Sequence, residues 1–219
     1  MFQNLLFDLD GTLTDSGEGI TKSVQYALKS FGIEEPDLKK LNVFIGPPLR
    51  ASFIKYYQLT PEEAEAAVEK YRERYAVTGI WENRPYDGII ELLAHLKAAG
   101  LRLGMATGKP EIFARRIADR FGFNPYLVDI SGCDLHEKAD NKTTVVGKAL
   151  KKWGLVTPEA KASAILIGDR RDDVYSAHAN GIACIGVGFG FGSYEELKEA
   201  GAEYYVKDMQ ELENLLLGR

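Results

Sequence analysis

The chain has 219 residues, of which 45% are hydrophobic and 27% charged, and its formal net charge is −5 at pH 7. These values are typical of a soluble globular protein with one large domain, or with a core and a small insertion. The acidic balance argues against a nucleic acid polymer as partner, because a phosphate backbone is bound by a basic face. No apolar run approaches the ~20 residues of a membrane span, and no basic segment marks a signal peptide. With only two cysteines, far apart in sequence, we expect a monomeric cytoplasmic protein without a disulfide framework.

The first informative stretch is the apolar run Leu5–Phe7 and the two aspartates that follow it, Asp8 and Asp10. The run predicts a buried strand of a parallel sheet. Side chains at i and i+2 of an extended chain share a face, so both carboxylates should project together where open α/β sheets bind ligands. Two close negative charges favour a divalent cation. The alternative is a strand followed by an ordinary acidic turn, since Asp-Gly is a common turn pair.

Residues 16–83 are predicted to form an all-helical insertion, because apolar residues recur there at helical spacing and no β pattern interrupts them. The clearest helix start is at Thr60, which is followed by a proline and by Glu63, the residue that completes a capping box. Between two predicted helices, the stretch Phe44–Arg50 contains Gly-Pro-Pro, which stiffens the chain and cannot continue a helix. This stretch is either a simple helix connection or a loop that presents Arg50 to a ligand.

From residue 84 onward, short apolar runs alternate with segments of helical periodicity. This alternation is typical of a parallel sheet with helical crossovers. The predicted strands after this point are 101–106, 127–130, 164–167 and 182–187. The expected fold class is therefore α/β, with a Rossmann-like parallel sheet built from residues 1–15 and 84–219 and the all-helical domain 16–83 inserted into it.

Two of the later predicted strands also end in polar residues. Thr107 and Gly108 follow the strand 101–106, and they offer a hydroxyl and an unobstructed backbone N–H to a phosphate oxygen. The alternative is an ordinary strand-to-helix turn, with the helix opened by Pro110. Asp169 follows the strand 164–167, and a carboxylate directly after a strand can reach the same metal ion as Asp8.

Four glycines alternate along residues 186–192, after the last predicted strand. Their spacing is not the G-x-G-x-x-G of a dinucleotide-binding turn. We interpret this glycine-rich segment as a flexible loop at the edge of the sheet.

The sequence Asp8-Leu9-Asp10-Gly11-Thr12 resembles the first motif of the haloacid dehalogenase-like hydrolases, a family dominated by magnesium-dependent phosphatases. Thr107 resembles the second motif, and Asp169 and Asp173 match the acidic fourth motif. The third motif is a lysine near a helix start.

Lys142 fits the third motif better than Lys138, which stays as the alternative. The helical segment between the first two motifs is similar to the insertion of the subclass with a helical cap.

This resemblance implies a catalytic mechanism. Asp8 would be the nucleophile that forms an aspartyl-phosphate, Asp10 the general acid and base, and Lys142 a cation that balances the phosphate charge. Mg²⁺ would be held by the carboxylates of Asp8 and Asp169 and by the backbone carbonyl of Asp10, all of them hard oxygen donors.

The remaining implied roles concern the substrate and the support of the site. Thr107 and Gly108 would bind the phosphate, and Asp173 would support the lysine and the metal. From the insertion, Arg50 would reach a second polar or anionic group of a small phosphorylated metabolite.

The family also contains dehalogenases, which need no proton for the leaving group and lack an acid at the position of Asp10, so a phosphatase is favoured. The Phe44–Arg50 loop is similar to that of the phosphoglycolate phosphatase and 5′-nucleotidase-like group. We therefore expect a nucleoside monophosphate as substrate, with phosphoglycolate as the alternative. Two other classes stay open, a sugar phosphomutase and a non-catalytic module that binds a phosphorylated ligand.

Overall fold

The computed structural model describes residues 2–135 and 141–219, and its backbone divides into two compact units. One unit comprises Met1–Thr14 and Pro85–Arg219 and is called the core. The other unit, Asp15–Arg84, is called the insertion. Each crossing between them lies one residue from the boundary expected from the sequence.

The core is organised around a sheet in which all the strand pairs are parallel, which confirms the predicted α/β class. The sheet strands are β1 (Asn4–Phe7), β4 (Arg102–Pro110), β5 (Asp129–Cys133), β6 (Ala164–Gly168), β7 (Ala183–Val187) and β8 (Tyr204–Val206). Their order is β5-β4-β1-β6-β7-β8. The opening strand therefore lies inside the sheet, and its neighbours are the two strands that carry the second and fourth motifs.

Helices connect the strands of the core. They are α4 (Ile89–Ala98), α5 (Glu111–Phe121), α6 (Lys142–Lys152), α7 (Pro158–Lys161), α8 (Arg171–Ala179), α9 (Tyr194–Ala200) and α10 (Met209–Leu217). Within the described part of the chain, no helix combines the length and apolar character needed to span a membrane.

The opening strand is buried inside the sheet, with a neighbouring strand on each of its edges. Leu5, Leu6 and Phe7 are at most 1% exposed, as expected for a strand of a parallel sheet. Phe7 pairs with Met105 on one side and with Ile167 on the other. This register brings the residues that follow all three strands to the same level at the carboxyl edge of the sheet.

The insertion is helical, and two short strands lead into and out of it. Its α-helices are α1 (Gly17–Lys29), α2 (Leu49–Tyr57) and α3 (Pro61–Tyr75), with 3₁₀ helices at Leu38–Phe44 and Gly79–Trp81; the short strands are β2 (Thr14–Asp15) and β3 (Arg84–Pro85). The capping box predicted at Thr60 is confirmed, since its hydroxyl accepts a hydrogen bond from the N–H of Glu63 and the Glu63 carboxylate accepts one from the N–H of Thr60.

Two boundaries differ from the sequence prediction in the region of the second motif. Strand β4 continues through Thr107 to Pro110, with a register shift against β5, so Pro110 precedes helix α5 and does not form its first turn. Strand β5 begins at Asp129, two residues later than predicted.

In the insertion, the loop predicted over Phe44–Arg50 ends earlier than expected, because Leu49 and Arg50 already belong to the first turn of α2. Pro48 is the N-cap residue of α2, and since leucine and arginine both favour helix, the chain is helical directly after this proline.

The Thr60 cap provides a test of the insertion. Thr60→Ala removes the acceptor for the Glu63 N–H and should lower the free energy of unfolding of the insertion by about 1 kcal/mol. Thr60→Ser keeps the hydroxyl and serves as the control. Urea denaturation followed by circular dichroism checks both, and equal stability of the alanine and serine variants would contradict the role of the cap.

Candidate active site

Three adjacent strand ends converge at the carboxyl edge of the core sheet. Asp8 follows β1 directly, Thr107 lies near the end of β4, and Asp169 follows β6. The N–H of Asp8 donates a 2.9 Å hydrogen bond to the carbonyl of Ile167, so the β1–β6 ladder extends to the aspartate itself. All three side chains are at most 2% exposed. The strands of the sheet therefore hold the backbone near these residues in place, independently of the contacts that their side chains make.

Lys142 connects the first and fourth motifs. Its ammonium lies 2.8 Å from Asp8 Oδ2 and 2.5 Å from Asp173 Oδ1. The lysine side chain is only 10% exposed and the two carboxylates 3% or less. One buried cation therefore bridges two buried anions, and the carboxylate expected to act as nucleophile is one of them.

The packing of α6 against α8 holds this lysine in place. Asn141 caps α6, so Lys142 is the first residue of the helix. The Thr143 and Ser176 hydroxyls lie 3.2 Å apart, and the Asn180 side chain donates to the carbonyls of Thr143 and Ser176. These bonds join the first turn of α6 to the helix that carries Asp173.

Asp169 is completely buried, and backbone surrounds it closely. Its Oδ2 accepts a 2.7 Å hydrogen bond from the N–H of Phe191. Gly11, at φ +84°, also approaches this carboxylate, and an added Cβ there would lie 2.2 Å from the same oxygen. A side chain at that position would clash with Asp169, and a non-glycine residue would also be strained at that φ. Gly11 of the first motif therefore packs directly against Asp169 of the fourth motif.

Asp10 has a separate partner. Its Oδ2 lies 2.8 Å from the ammonium of Lys109, and both side chains are largely buried. Lys109 lies two residues beyond Thr107 on β4, and its backbone N–H donates to the Thr107 hydroxyl. The second motif thus carries a lysine that contacts the first motif.

Burial and mutual repulsion change the ionisation of the carboxylates. Burial raises the pKa of Asp8 to about 6, although Lys142 opposes this rise. Burial, with the charges of Asp173 and Asp8, raises the pKa of Asp169 to about 8. Burial disfavours the charge of Lys142, but Asp173 and Asp8 outweigh it and raise the pKa of the lysine well above its usual value. The lysine is therefore a permanent cation.

The carboxylate cluster fits a divalent metal ion. Asp8, Asp169 and Asp173 each offer an oxygen within 4.8 Å of the others. In the part of the chain that the structure describes, the ammonium of Lys142 contacts two of these three carboxylates, those of Asp8 and Asp173, so the negative charge of the cluster is only partly balanced when all of them ionise. Among the described residues, Asp8 Oδ1 and Asp169 Oδ1 are buried without a hydrogen-bond partner, which is costly unless another group binds them. A small cation that prefers oxygen ligands, such as Mg²⁺, would satisfy both atoms.

The structure brings together most of the residues selected from the sequence. Asp8, Lys142 and Asp173 are in direct contact, and Asp169 belongs to the same carboxylate cluster. The side chain of Asp10 is outside that cluster of three, and the expected role of its backbone carbonyl in binding a metal stays a prediction.

Thr107 and Arg50 stand apart from this contact network. Thr107 bonds to the backbone of its own strand. Arg50 lies in the insertion, where its Nε is 3.4 Å from Glu65 Oε2, and its role as a substrate ligand stays a prediction. The alternative lysine, Lys138, lies outside the described residues.

Sequence reasoning missed two features of the site, Lys109 and the glycine-rich segment. Lys109 could have been found from its spacing, because i and i+2 on a strand share a face and Thr107 was already selected. The glycine-rich segment was interpreted as a flexible edge loop, whereas Gly190 and Gly192 pack against Asp169. Repeated glycines can indicate close approach of another backbone, which was the signal available.

The raised pKa of Asp169 predicts how stability depends on pH without metal. The unfolded chain releases this proton near pH 4 and the folded protein holds it to about pH 8, so this contribution to stability falls as pH rises through that window. Asp169→Asn keeps an acceptor for the Phe191 N–H but removes the charge. In chelator, the variant should exceed wild type in free energy of unfolding by roughly 1–3 kcal/mol near pH 8 and by less near pH 6.

Urea denaturation across this pH range measures the difference. Asp172→Asn, which changes a nearby aspartate that is only partly buried, is the matched control and should follow the wild-type curve. A wild-type protein as stable as Asp169→Asn at every pH would contradict the prediction.

Several known proteins are similar to this chain in sequence and in fold. A family model described as haloacid dehalogenase-like hydrolase matches residues 5–187. The 5′-nucleotidase of Pseudomonas aeruginosa is 46% identical over 215 residues, which cover 98% of this chain and 96% of that protein. The crystal structure of a predicted phosphatase from Clostridium acetobutylicum matches with a TM-score of 0.94 and 45% identity, and both chains are covered completely.

Other relatives carry different names. The tyrosine-protein kinase PtkA of Mycobacterium tuberculosis is 38% identical over 190 residues, which cover 87% of this chain but 63% of the kinase. Phosphoglycolate phosphatase 1 of Pseudomonas aeruginosa is 29% identical over 219 residues, with 95% of this chain and 77% of that protein covered. The resemblance seen in the four motifs is confirmed: the chain belongs to the haloacid dehalogenase-like hydrolases, and within that family it is a phosphatase.

Proposed function

We propose that this protein is a Mg²⁺-dependent phosphatase that hydrolyses a nucleoside 5′-monophosphate through an aspartyl-phosphate on Asp8. The contact of Lys142 with Asp8 and Asp173 carries the proposal. A carboxylate that attacks a phosphate dianion needs a cation beside it, and the buried lysine supplies one at a fixed position. A cytoplasmic location and a monomeric state, as expected from the sequence, belong to the same proposal.

In the first step, one carboxylate oxygen of Asp8 bonds to phosphorus while the bond from phosphorus to the ester oxygen breaks. The leaving oxygen takes a proton from Asp10 and departs as the alcohol. Lys109 holds Asp10 Oδ2, so the proton is carried by Oδ1, which is buried and has no hydrogen-bond partner among the described residues. Lys142 stays charged throughout and balances the negative charge on the phosphoryl oxygens.

In the second step, Asp10, now a carboxylate, takes a proton from a water molecule as the water oxygen bonds to phosphorus. The bond between phosphorus and Asp8 breaks, which restores the aspartate and releases inorganic phosphate. Thr107 and Gly108, at the neighbouring strand end, would bind the phosphoryl oxygens in both steps.

Mg²⁺ would be held by the carboxylates of Asp8 and Asp169 and by the backbone carbonyl of Asp10, with Asp173 supporting Lys142 and the site. When bound, it supplies positive charge that neutralises the phosphate and orients it for attack. The two unpartnered oxygens of Asp8 and Asp169 support this assignment.

The choice of a nucleoside monophosphate rests on similarity. The 5′-nucleotidase relative is 46% identical, whereas the phosphoglycolate phosphatase relative is 29% identical. Phosphoglycolate is therefore the second candidate substrate. The core groups described above would contact only phosphate, metal and the bridging oxygen, so they do not distinguish the two substrates.

Phosphate release from a panel of nucleoside monophosphates, phosphoglycolate and sugar phosphates tests the proposal. We expect the highest kcat/KM for a nucleoside monophosphate, with activity lost in chelator and restored by Mg²⁺. Asp8→Asn, checked by mass spectrometry for deamidation, should have no measurable turnover because an amide does not attack phosphorus. Isomerisation of a sugar phosphate without phosphate release, or transfer of phosphate from ATP to a protein tyrosine, would contradict it.

The role of Asp10 predicts a dependence on the leaving group. p-Nitrophenolate leaves without a proton, so Asp10→Asn should release p-nitrophenol from p-nitrophenyl phosphate in a burst of about one equivalent and then stall. With a nucleoside monophosphate, whose alkoxide needs the proton, the variant should lose roughly 10²- to 10⁴-fold in kcat and show no burst. Stopped-flow absorbance measures the burst.

Asp8→Asn is the control for this experiment, since it should show neither burst nor turnover with p-nitrophenyl phosphate. Equal losses for both substrates in Asp10→Asn, without a burst, would contradict the proton-transfer role.

A further inference from the structure

The glycine-rich segment after β7 makes a contact that the mechanism above does not use. Its central part, Gly190–Gly192, passes over the carboxylate of Asp169 and is called the glycine clamp. The N–H of Phe191 donates to Asp169 Oδ2 at 2.7 Å. This donor belongs to the backbone, so unlike a side chain it has no rotamer in which it turns away.

The approach of the clamp requires glycine. A Cβ on Gly190 would lie 2.4 Å from the Cβ of Asp169, and a Cβ on Gly192 would lie 1.9 Å from the Asp169 carbonyl oxygen. Contacts this short force a neighbour to move. Gly11 also leaves no room beside the carboxylate, since a Cβ on it would lie 2.2 Å from Asp169 Oδ2. Asp169 is therefore enclosed by backbone from two segments of the core.

Neighbouring contacts fix the start of the segment. Gly188 donates its N–H to the carbonyl of Val206 at 2.8 Å, at the end of β8. The ring of Phe189 packs edge-on against Tyr86, with ring centroids 5.2 Å apart. The clamp therefore begins at a position set by the sheet.

We propose that the glycine clamp is a positioning element for the metal ion, because it occupies Asp169 Oδ2 and so directs Oδ1 toward the cation. Among the described residues, Oδ1 is buried without a hydrogen-bond partner, whereas Oδ2 is bound to Phe191. This inference rests on the proposed function, since it takes Asp169 as a Mg²⁺ ligand. Groups that hold a metal ligand in place typically contribute 10- to 100-fold to metal affinity.

Titration of metal-free protein with MgCl₂ in a calorimeter tests the clamp without measuring activity. Gly190→Ala pushes on the Asp169 side chain and should weaken Mg²⁺ binding by roughly 10- to 100-fold. Gly188→Ala is the matched control in the same segment, because its Cβ meets the hydroxyl end of Tyr205 and not Asp169. The control should bind Mg²⁺ within about threefold of wild type, and thermal unfolding in chelator checks that both variants are folded. Wild-type affinity in folded Gly190→Ala would overturn the proposal.

A second measurement does not depend on whether the glycine variants fold. Amide hydrogen exchange of the metal-free wild type should show protection at the Phe191 N–H. Asp169→Ala, which removes the acceptor, should lose that protection, while Asp169→Asn should keep it. If this amide exchanged in the wild type as fast as an unprotected backbone amide, the proposed role of the glycine clamp would also be overturned.

The same Mg²⁺ titrations distinguish an error in the proposed function from an error in the proposed role of the clamp. If wild type and Asp169→Asn bind Mg²⁺ equally well, Asp169 is not a metal ligand and the proposed mechanism is wrong. If wild type binds Mg²⁺, Asp169→Asn does not, and folded Gly190→Ala binds as wild type does, only the clamp is wrong.

Discussion

The main physical constraint on the core is a concentration of buried negative charge at one edge of its sheet. Asp8, Asp169 and Asp173 lie within hydrogen-bonding reach of a common centre, and one ammonium, that of Lys142, partly balances them. Burying unbalanced carboxylates is unfavourable, and the raised pKa values of Asp8 and Asp169 express that cost. The rest of the fold keeps these groups together in spite of their repulsion.

Three kinds of support accomplish this. The parallel strands fix the backbones of Asp8 and Asp169, since the ladder between β1 and β6 continues to Asp8. Hydrogen bonds between α6 and α8 fix the lysine and Asp173. Backbone N–H groups bind the outer oxygens, as the Arg170 N–H does for Asp173 Oδ2 at 3.0 Å. Asp8 Oδ1 and Asp169 Oδ1, which have no hydrogen-bond partner among the described residues, are then left for a cation to bind.

This arrangement of carboxylates lowers the stability of the folded protein when no cation is bound. Without a cation, the carboxylates destabilise the folded protein increasingly as they ionise, and a bound cation reverses that effect by mass action. Asp10 is different, because its Oδ2 has a cationic partner of its own in Lys109. The site therefore combines a cluster of like-charged carboxylates with a neighbouring aspartate–lysine contact.

Much of this protein was determined by local sequence. The apolar run before Asp8, the strand before Asp169 and the capping box at Thr60 all depend on neighbours within a few residues, so periodicity and capping chemistry identified them. The α/β class followed from the same alternation. Local signals were weaker at boundaries, as at Pro110, where the chain stays extended because β4 continues to pair with β5.

Only the tertiary structure decided which charges meet. The contact of Lys142 with Asp8 and that of Lys109 with Asp10 join residues that are far apart in the chain, and they depend on strand order and on the docking of α6. The role of Gly190 likewise depends on the backbone that approaches it. Composition and spacing place such residues at the end of an element, but a distance between two side chains is set by the register and packing of the elements that carry them.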